Sequence, residues 1–262
     1  MSTDWTLGGN GVLKAANPDD FNGDGNSDIL WQNTSTGERG FYLMNGTAVS
    51  GWLSLGTVPT AWQIAGTGDF NGDGKPDILW QNTSTGERGL YLMDGTTVSS
   101  WVSLPTVPTA WQITGTGDFN GDGNTDILWQ NTVTGEYGVY LMNGTTVTSW
   151  VSLGTVPTAW QIAGTGDFNG GGQTDILWQN TSTGERGIYL MSGTTMTGWV
   201  SLPGVPTAWQ IAGTGDFNGD GQTDILWQNT STGERGVYLM NGTTVTGWTS
   251  LGIVPVEWSI RN

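Results

Sequence analysis

One nine-residue stretch, Asp69-Phe70-Asn71-Gly72-Asp73-Gly74-Lys75-Pro76-Asp77, returns almost unchanged from Asp20, Asp118, Asp167 and Asp216, so the chain repeats itself every 49 residues. A fixed period of this length constrains the fold more than any composition can. Each unit must be one supersecondary element that buries its faces only by stacking on its neighbours, as propeller blades or solenoid turns do. The repeats run approximately over 13–61, 62–110, 111–159, 160–208 and 209–257, with short segments 1–12 and 258–262 at the ends. We read 1–262 as a single domain.

Within a unit, short runs of β-branched, aromatic and aliphatic residues alternate with Gly, Asn, Asp and Pro at intervals of about ten residues, the pattern of strands and tight turns. In the second unit four strands are predicted, roughly 62–69, 77–82, 87–93 and 97–104. Asp94-Gly95, like Asn45-Gly46, Asn143-Gly144 and Asn241-Gly242, predicts a type I′ hairpin turn. The expected fold is therefore all-β: a five-bladed β-propeller of four-stranded antiparallel blades. The last repeat is as regular as the middle ones, which favours a ring over a capped solenoid. Trp258-Ser259-Ile260 begins a sixth copy of the first strand, while residues 13–19 carry a degraded copy with Leu13 in place of Trp. The ring is expected to close by pairing of the two termini, with either segment able to supply the missing strand.

The repeated loop is rich in oxygen donors. Side chains at positions 1, 3, 5 and 9 converge if the glycine at position 6 turns the chain, and a carbonyl at position 7 adds a fifth ligand, a set suited to Ca2+. The candidate ligands are Asp69, Asn71, Asp73, Lys75 and Asp77; Asp20, Asn22, Asp24, Asn26 and Asp28; Asp118, Asn120, Asp122, Asn124 and Asp126; and Asp216, Asn218, Asp220, Gln222 and Asp224. The fourth loop offers only Asp167, Asn169, Gln173 and Asp175, because Gly171 stands where a carboxylate is needed. About one Ca2+ per blade is expected, with the fourth site weak or absent. Turn chemistry alone needs one or two such residues, not four in each of five copies. These loops hold much of the acidity behind a net charge of −16, with 23 Asp and Glu against 7 Lys and Arg. Five divalent ions would bring it to about −6. Such a balance disfavours nucleic acid and anionic membranes as partners.

Asp-Phe-Asn-Gly-Asp-Gly followed by Asp-Ile-Leu-Trp resembles the FG-GAP/VCBS repeat family, the calcium-loop blades of integrin α-chain heads and of integrin-like propeller lectins. The resemblance extends over nearly the whole chain and implies a propeller with Ca2+ between the first and second strands of each blade. Those relatives usually have seven blades, and this chain has five repeats.

Sixteen tryptophans fall as three per unit plus Trp5, when Trp258 is counted for the first unit, which has Leu13 in its place. The series of Trp80 in strand two and Trp101 in strand four is expected to fill the wedge between sheets. Trp62, Trp111, Trp160, Trp209 and Trp258 start strand one, at the end remote from the acidic loop. Together with Asn82, Glu87 and Arg88 they suggest pockets for a neutral sugar on that opposite face. Glu87-Arg88 reads equally well as a surface ion pair, and the third repeat carries Glu136-Tyr137 instead. Catalysis is not expected: the chain has no His and no Cys, and its unrepeated carboxylates, Asp4, Asp19, Asp94 and Glu257, are scattered.

The functional expectation is a calcium-stabilised, multivalent carbohydrate-binding module, with a structural or protein-binding scaffold as the alternative. Recent or engineered amplification of the repeat, with no evolved ligand, belongs to that alternative. The protein is expected to be monomeric and, because calcium loops fill best where calcium is abundant, extracellular or periplasmic. Met1-Ser2-Thr3-Asp4 itself lacks the character of an export signal.

Overall fold

The computed structural model describes residues 5–7, 13–15, 19–256 and 258–260. Readings that touch 1–4, 8–12, 16–18, 257 or 261–262 lie outside them. Every regular element among the described residues is a strand. Blade 2 comprises Trp62–Gly68, Asp77–Asn82, Arg88–Asp94 and Thr97–Leu104, hydrogen-bonded in that order and antiparallel throughout. Blades 3, 4 and 5 repeat this plan from Trp111, Trp160 and Trp209. The strand boundaries agree with the sequence reading to within a residue.

Blade 1 decides how the ring closes. Its second to fourth strands are Ile29–Asn33, Glu38–Asn45 and Ala48–Thr57, and its first strand is the C-terminal Trp258–Ile260, paired Trp258 to Asn33 and Ile260 to Trp31. Leu13–Ala15 pairs instead with Trp5–Leu7 in a separate two-stranded sheet. The C-terminal strand has the tryptophan that the seam requires. Blade 5 grips it through the Trp258 carbonyl, which accepts from Arg235 Nη2 at 2.9 Å and Gln228 Nε2 at 3.4 Å.

The strand-one segments pack side by side around the axis. Thr165 Oγ1 donates to the Thr116 carbonyl at 2.6 Å and Thr214 Oγ1 to Thr165 at 2.5 Å, and Thr116 makes the same bond to Thr67. So close is the approach that a Cβ on Gly115 would lie 2.6 Å from the Thr165 methyl. Glycine is therefore required there, and the Gly-Thr-Gly of units two to five is an axis-packing motif. At the blade 1 position Asp19 replaces glycine and accepts from the Thr67 hydroxyl.

Five apolar clusters, one at each seam, form the core. The cluster of Phe21, Leu30, Phe41, Ile78 and Trp80 joins blades 1 and 2, and that of Ile29, Trp31, Met44, Phe217 and Leu226 closes blade 5 onto blade 1. The strand-two tryptophans are buried as expected, Trp80 at 2 % exposure. The strand-four series is not: Trp101 is 42 % exposed and Trp52, Trp199 and Trp248 are similar. Strand four is the outer edge of each blade, so its tryptophan lies flat over a glycine of strand three rather than in the wedge. A Cβ on Gly89 would come within 2.2 Å of the Trp101 ring.

The strand three to four hairpins also differ from expectation. Asp94 pairs with Thr97, so Gly95 and Thr96 are the central residues, and only the glycine has positive φ, +60°. That is the II′ pattern, with glycine first, rather than I′.

Candidate functional site

In the loop of blade 2 the side chains turn inward on their own backbone. Asp69 accepts from the amides of Gly72, Asp73 and Gly74 at 2.7, 3.1 and 2.8 Å, Asn71 Oδ1 from Asp73 at 2.9 Å, and Asp73 Oδ1 from Lys75 at 2.9 Å. Glycines 72 and 74 take φ of +75° and +83°, which lets the segment curl around those oxygens. The loops at Asp20, Asp118 and Asp216 repeat the arrangement. In the fourth loop Asp167 and Asn169 still receive the Gly171 amide. With Gly171 lacking a side chain, the bond that Asp73 makes to the Lys75 amide has no counterpart from that position.

Position 9 does a different job. Asp77 is fully buried and uses both oxygens on backbone amides, Phe70 at 2.9 Å and Met93 at 2.8 Å, tying the loop's start to strand three. Burial pushes its carboxyl up to about 6, with nearby Asp73 and Asp69 adding to the rise. Asp28, Asp126 and Asp224 are likewise raised to about 6 by burial. Asp175 is raised by burial too, but Asp167 is the neighbouring carboxylate that adds to it, Gly171 having none to give. Replacing Asp77 by Ala leaves two buried amides without acceptors, at about 1–3 kcal/mol each. Asp77→Ala should therefore lower the melting temperature by about 5–15 °C, measured by circular dichroism.

Position 7 was read as a carbonyl ligand, and its side chain proves to have a use of its own. Asn26, Asn124, Gln173 and Gln222 each accept the amide of the hairpin glycine of their own blade, at 3.1, 3.1, 2.9 and 2.9 Å. In blade 2 Lys75 instead pairs with Asp94 at 2.5 Å, so the two departures from the repeat compensate each other.

Among the described residues no three carboxylates form a group able to hold a metal ion by themselves. The donor set in question is mixed, with an amide oxygen and a carbonyl beside the carboxylates. Its chemistry fits a hard cation: an ionised carboxylate has about four acceptor sites, so the loop amides do not exhaust Asp69 or Asp73.

At the opposite end of the blade Trp62 pairs with Asn82, six strand residues from the Gly68–Asp77 pair beside the loop. The sequence-predicted group separates here into exposed and structural members. Asn82 is buried, and its Oδ1 accepts the Ser84 and Thr85 amides at 3.0 and 3.1 Å, closing the turn. Arg88 is buried at 2 % exposure and forms no surface pair with Glu87. It donates to the Trp111 carbonyl of blade 3 at 3.0 Å and lies 5.3 Å from the Trp129 ring centroid. Gln81, which sequence reasoning passed over, accepts the Ile113 amide of blade 3 at 3.2 Å. Its signal was its invariance through all five repeats. Glu87 is exposed, and Trp62 is half-buried edge-on to Trp101, with centroids 5.5 Å apart at 89°. Trp111, Trp160 and Trp209 meet the strand-four tryptophans of their blades in the same way, and Trp258 meets Trp52.

A cavity of about 600 Å³ opens against this aromatic ladder in blade 4, lined by Trp160, Trp178, Tyr189, Trp199, Glu185 and Ser201 among others, with Val156 and Pro157 from the preceding connection. Perpendicular indole and phenol rings beside the Glu185 carboxylate, Arg186 and the Ser201 hydroxyl give it apolar walls and a few polar anchors of both charges.

The blade plan and the loop find their match in one family model, that of the FG-GAP-like repeat, which fits residues 20–80, 69–129, 118–178 and 167–227 in overlapping pairs of blades. The chain belongs to the FG-GAP-like repeat family. No curated protein sequence matches it. Among solved structures, this FG-GAP chain is similar to a chain of a nidogen/laminin complex at 14 % identity, covering 86 % of this chain and 78 % of that one, with a TM-score of 0.53. It is also similar to a protein of unknown function from Bacteroides caccae at 11 % identity, covering 86 % and 73 %, with a TM-score of 0.46. At these identities the likeness concerns the fold.

Proposed function

We propose that this FG-GAP propeller is a carbohydrate-binding module whose acidic loops take up Ca2+. The observation that carries the reading is the cavity beside Trp160 and Trp199, where a half-buried and a 41 % exposed indole stand perpendicular to each other next to Glu185. Indole faces bind the C–H face of a pyranose, and a carboxylate accepts its hydroxyls. The repetition of the ladder supports multivalent binding, in which modest sites gain by avidity. In each loop, Asp69, Asn71, Asp73 and the Lys75 carbonyl, or their equivalents, would hold the ion, with Asp77 bracing the base. The ion would supply rigidity on the face away from the sugar.

A glycan array run in 1 mM Ca2+ and again in chelator tests this reading. Retention of neutral glycans in calcium supports it. Silence across the array in both conditions sinks it and leaves the scaffold, in which the ions serve the fold alone.

A further inference from the structure

The cavity of about 600 Å³ in blade 4 follows strand four, Thr195–Leu202. Met196 lines it towards one end and Leu202 and Gly204 towards the other, with Trp199 and Ser201 between them. The six strand steps from Met196 to Leu202 span about 20 Å, so the cavity is a groove rather than a round pocket. Its two end residues set blade 4 apart from the other units. Where blade 4 has Met196 the others have valine, Val98 in blade 2; where it has Gly204 they have a β-branched residue, Thr106 in blade 2 and Ile253 in blade 5. The backbone does not ask for glycine at 204. Its φ is not left-handed, and among the described residues a Cβ there would meet nothing closer than the Gly184 carbonyl oxygen at 3.9 Å. Gly187, under the Trp199 ring, is the contrary case, where a Cβ would come within 2.2 Å of the indole. What the missing side chain at 204 changes is the wall of the groove.

We infer that Gly204 and Met196 fit this groove to a linear, neutral oligosaccharide laid along strand four; the assignment rests on the carbohydrate reading above. A β-branched residue at 204 would stand in the end of the groove and stop a sugar chain there, whereas glycine lets the chain run on. Trp199 is the platform in the middle. Gly187 lies against its indole and Nε1 donates to Ser201 Oγ at 3.0 Å, which holds the ring in place while the residue stays 41 % exposed. At the other end Met196, also exposed, brings a flexible thioether that adapts to the apolar face of a further sugar. The two charged residues of the lining, Glu185 and Arg186, are of opposite sign, so the groove selects for no ligand charge. Arg186 is held by the Val205 and Trp209 carbonyls at 2.8 and 2.6 Å, and Glu185 is exposed, its carboxylate open to sugar hydroxyls.

The test is calorimetric titration, in calcium, with cello-, manno- and xylo-oligosaccharides from the monosaccharide to the pentasaccharide. In at least one series the affinity of the wild type should climb with chain length and then level off. Gly204→Thr, the residue of blades 1 to 3, should weaken binding of the longer oligomers by about tenfold, leave the monosaccharide as it was and hold the melting temperature. Met196→Val, the residue of every other blade, should weaken the longer oligomers by about threefold, the worth of one buried methylene; it decides the matter independently if Gly204→Thr does not fold. Affinity that does not depend on length, or that neither variant changes, would overturn the inference and leave the carbohydrate reading standing. Failure of all three series to bind the wild type would also overturn it, and the glycan array then tells whether a branched or single-residue sugar keeps the carbohydrate reading alive.

Discussion

Deleting residues 258–262 should abolish the single cooperative melt of this protein or lower its midpoint by at least about 15 °C. The segment supplies the whole first strand of blade 1. Without it the strand Ile29–Asn33 becomes a bare edge, and Arg235, buried at 1 % exposure, loses the Trp258 carbonyl while Gln228 loses the same acceptor. Removing a large packed aromatic costs about 3–5 kcal/mol, and stranding a buried charged donor costs a few more. Against a net stability of about 5–15 kcal/mol for a typical domain, that is most of the margin. Deleting residues 1–12 should have a much smaller effect, since Trp5–Leu7 pairs with Leu13–Ala15 outside the blade sheets. Differential scanning calorimetry of the two truncations separates the cases. Equal and small losses would mean that the N-terminal strand can take over the seam.

The second large effect should come from calcium. Ligand that binds only the folded state adds RT ln(1 + [L]/Kd), about 2.7 kcal/mol per site at a hundredfold excess over Kd. Four intact loops saturated together would add about 10 kcal/mol, an upper value because partial opening of one blade need not release every ion. Transfer from 1 mM Ca2+ to chelator should therefore lower the melting temperature by well over 10 °C, and an unchanged melt would remove calcium from the account. Counting ions by mass spectrometry under native conditions should give four firmly held. Gly171→Asp should add a fifth. Gly171 does not have a left-handed φ, and the obstacle to its new Cβ is the Asn169 amide oxygen, 2.5 Å away. That oxygen must give way slightly; in the intact loop Asn71 keeps its bond to the Asp73 amide at 2.9 Å and donates Nδ2 to the Asp73 carboxylate at 3.0 Å. No gain in bound ion would show that the fourth loop is limited by more than its missing carboxylate.

The period, the four strands of each blade and the acidic loops were legible because they are local: alternation, punctuation and donor spacing lie within one repeat. The seams were not. Arg88 looked like a surface partner of Glu87 because the two adjoin in sequence, yet strand alternation sends them to opposite sides, and Arg88 meets its carbonyl 23 residues onward. Asn82 looked like a ligand until its side chain was seen to close the turn. Trp101 and Trp80 read alike as apolar residues in strands, and only the position of strand four at the rim exposes one and not the other.

The sequence by itself determined a five-unit β-propeller with one acidic loop per blade, since a 49-residue repeat of such strands has few other ways to bury its faces. Only the tertiary structure decided which terminus closes the ring and how the seams differ. Both depend on what one blade offers to the next: Trp258 presents a carbonyl to Arg235, and Tyr137 meets the Trp178 ring where the other seams place a guanidinium. Those are contacts between repeats, and a pattern read within a repeat does not contain them.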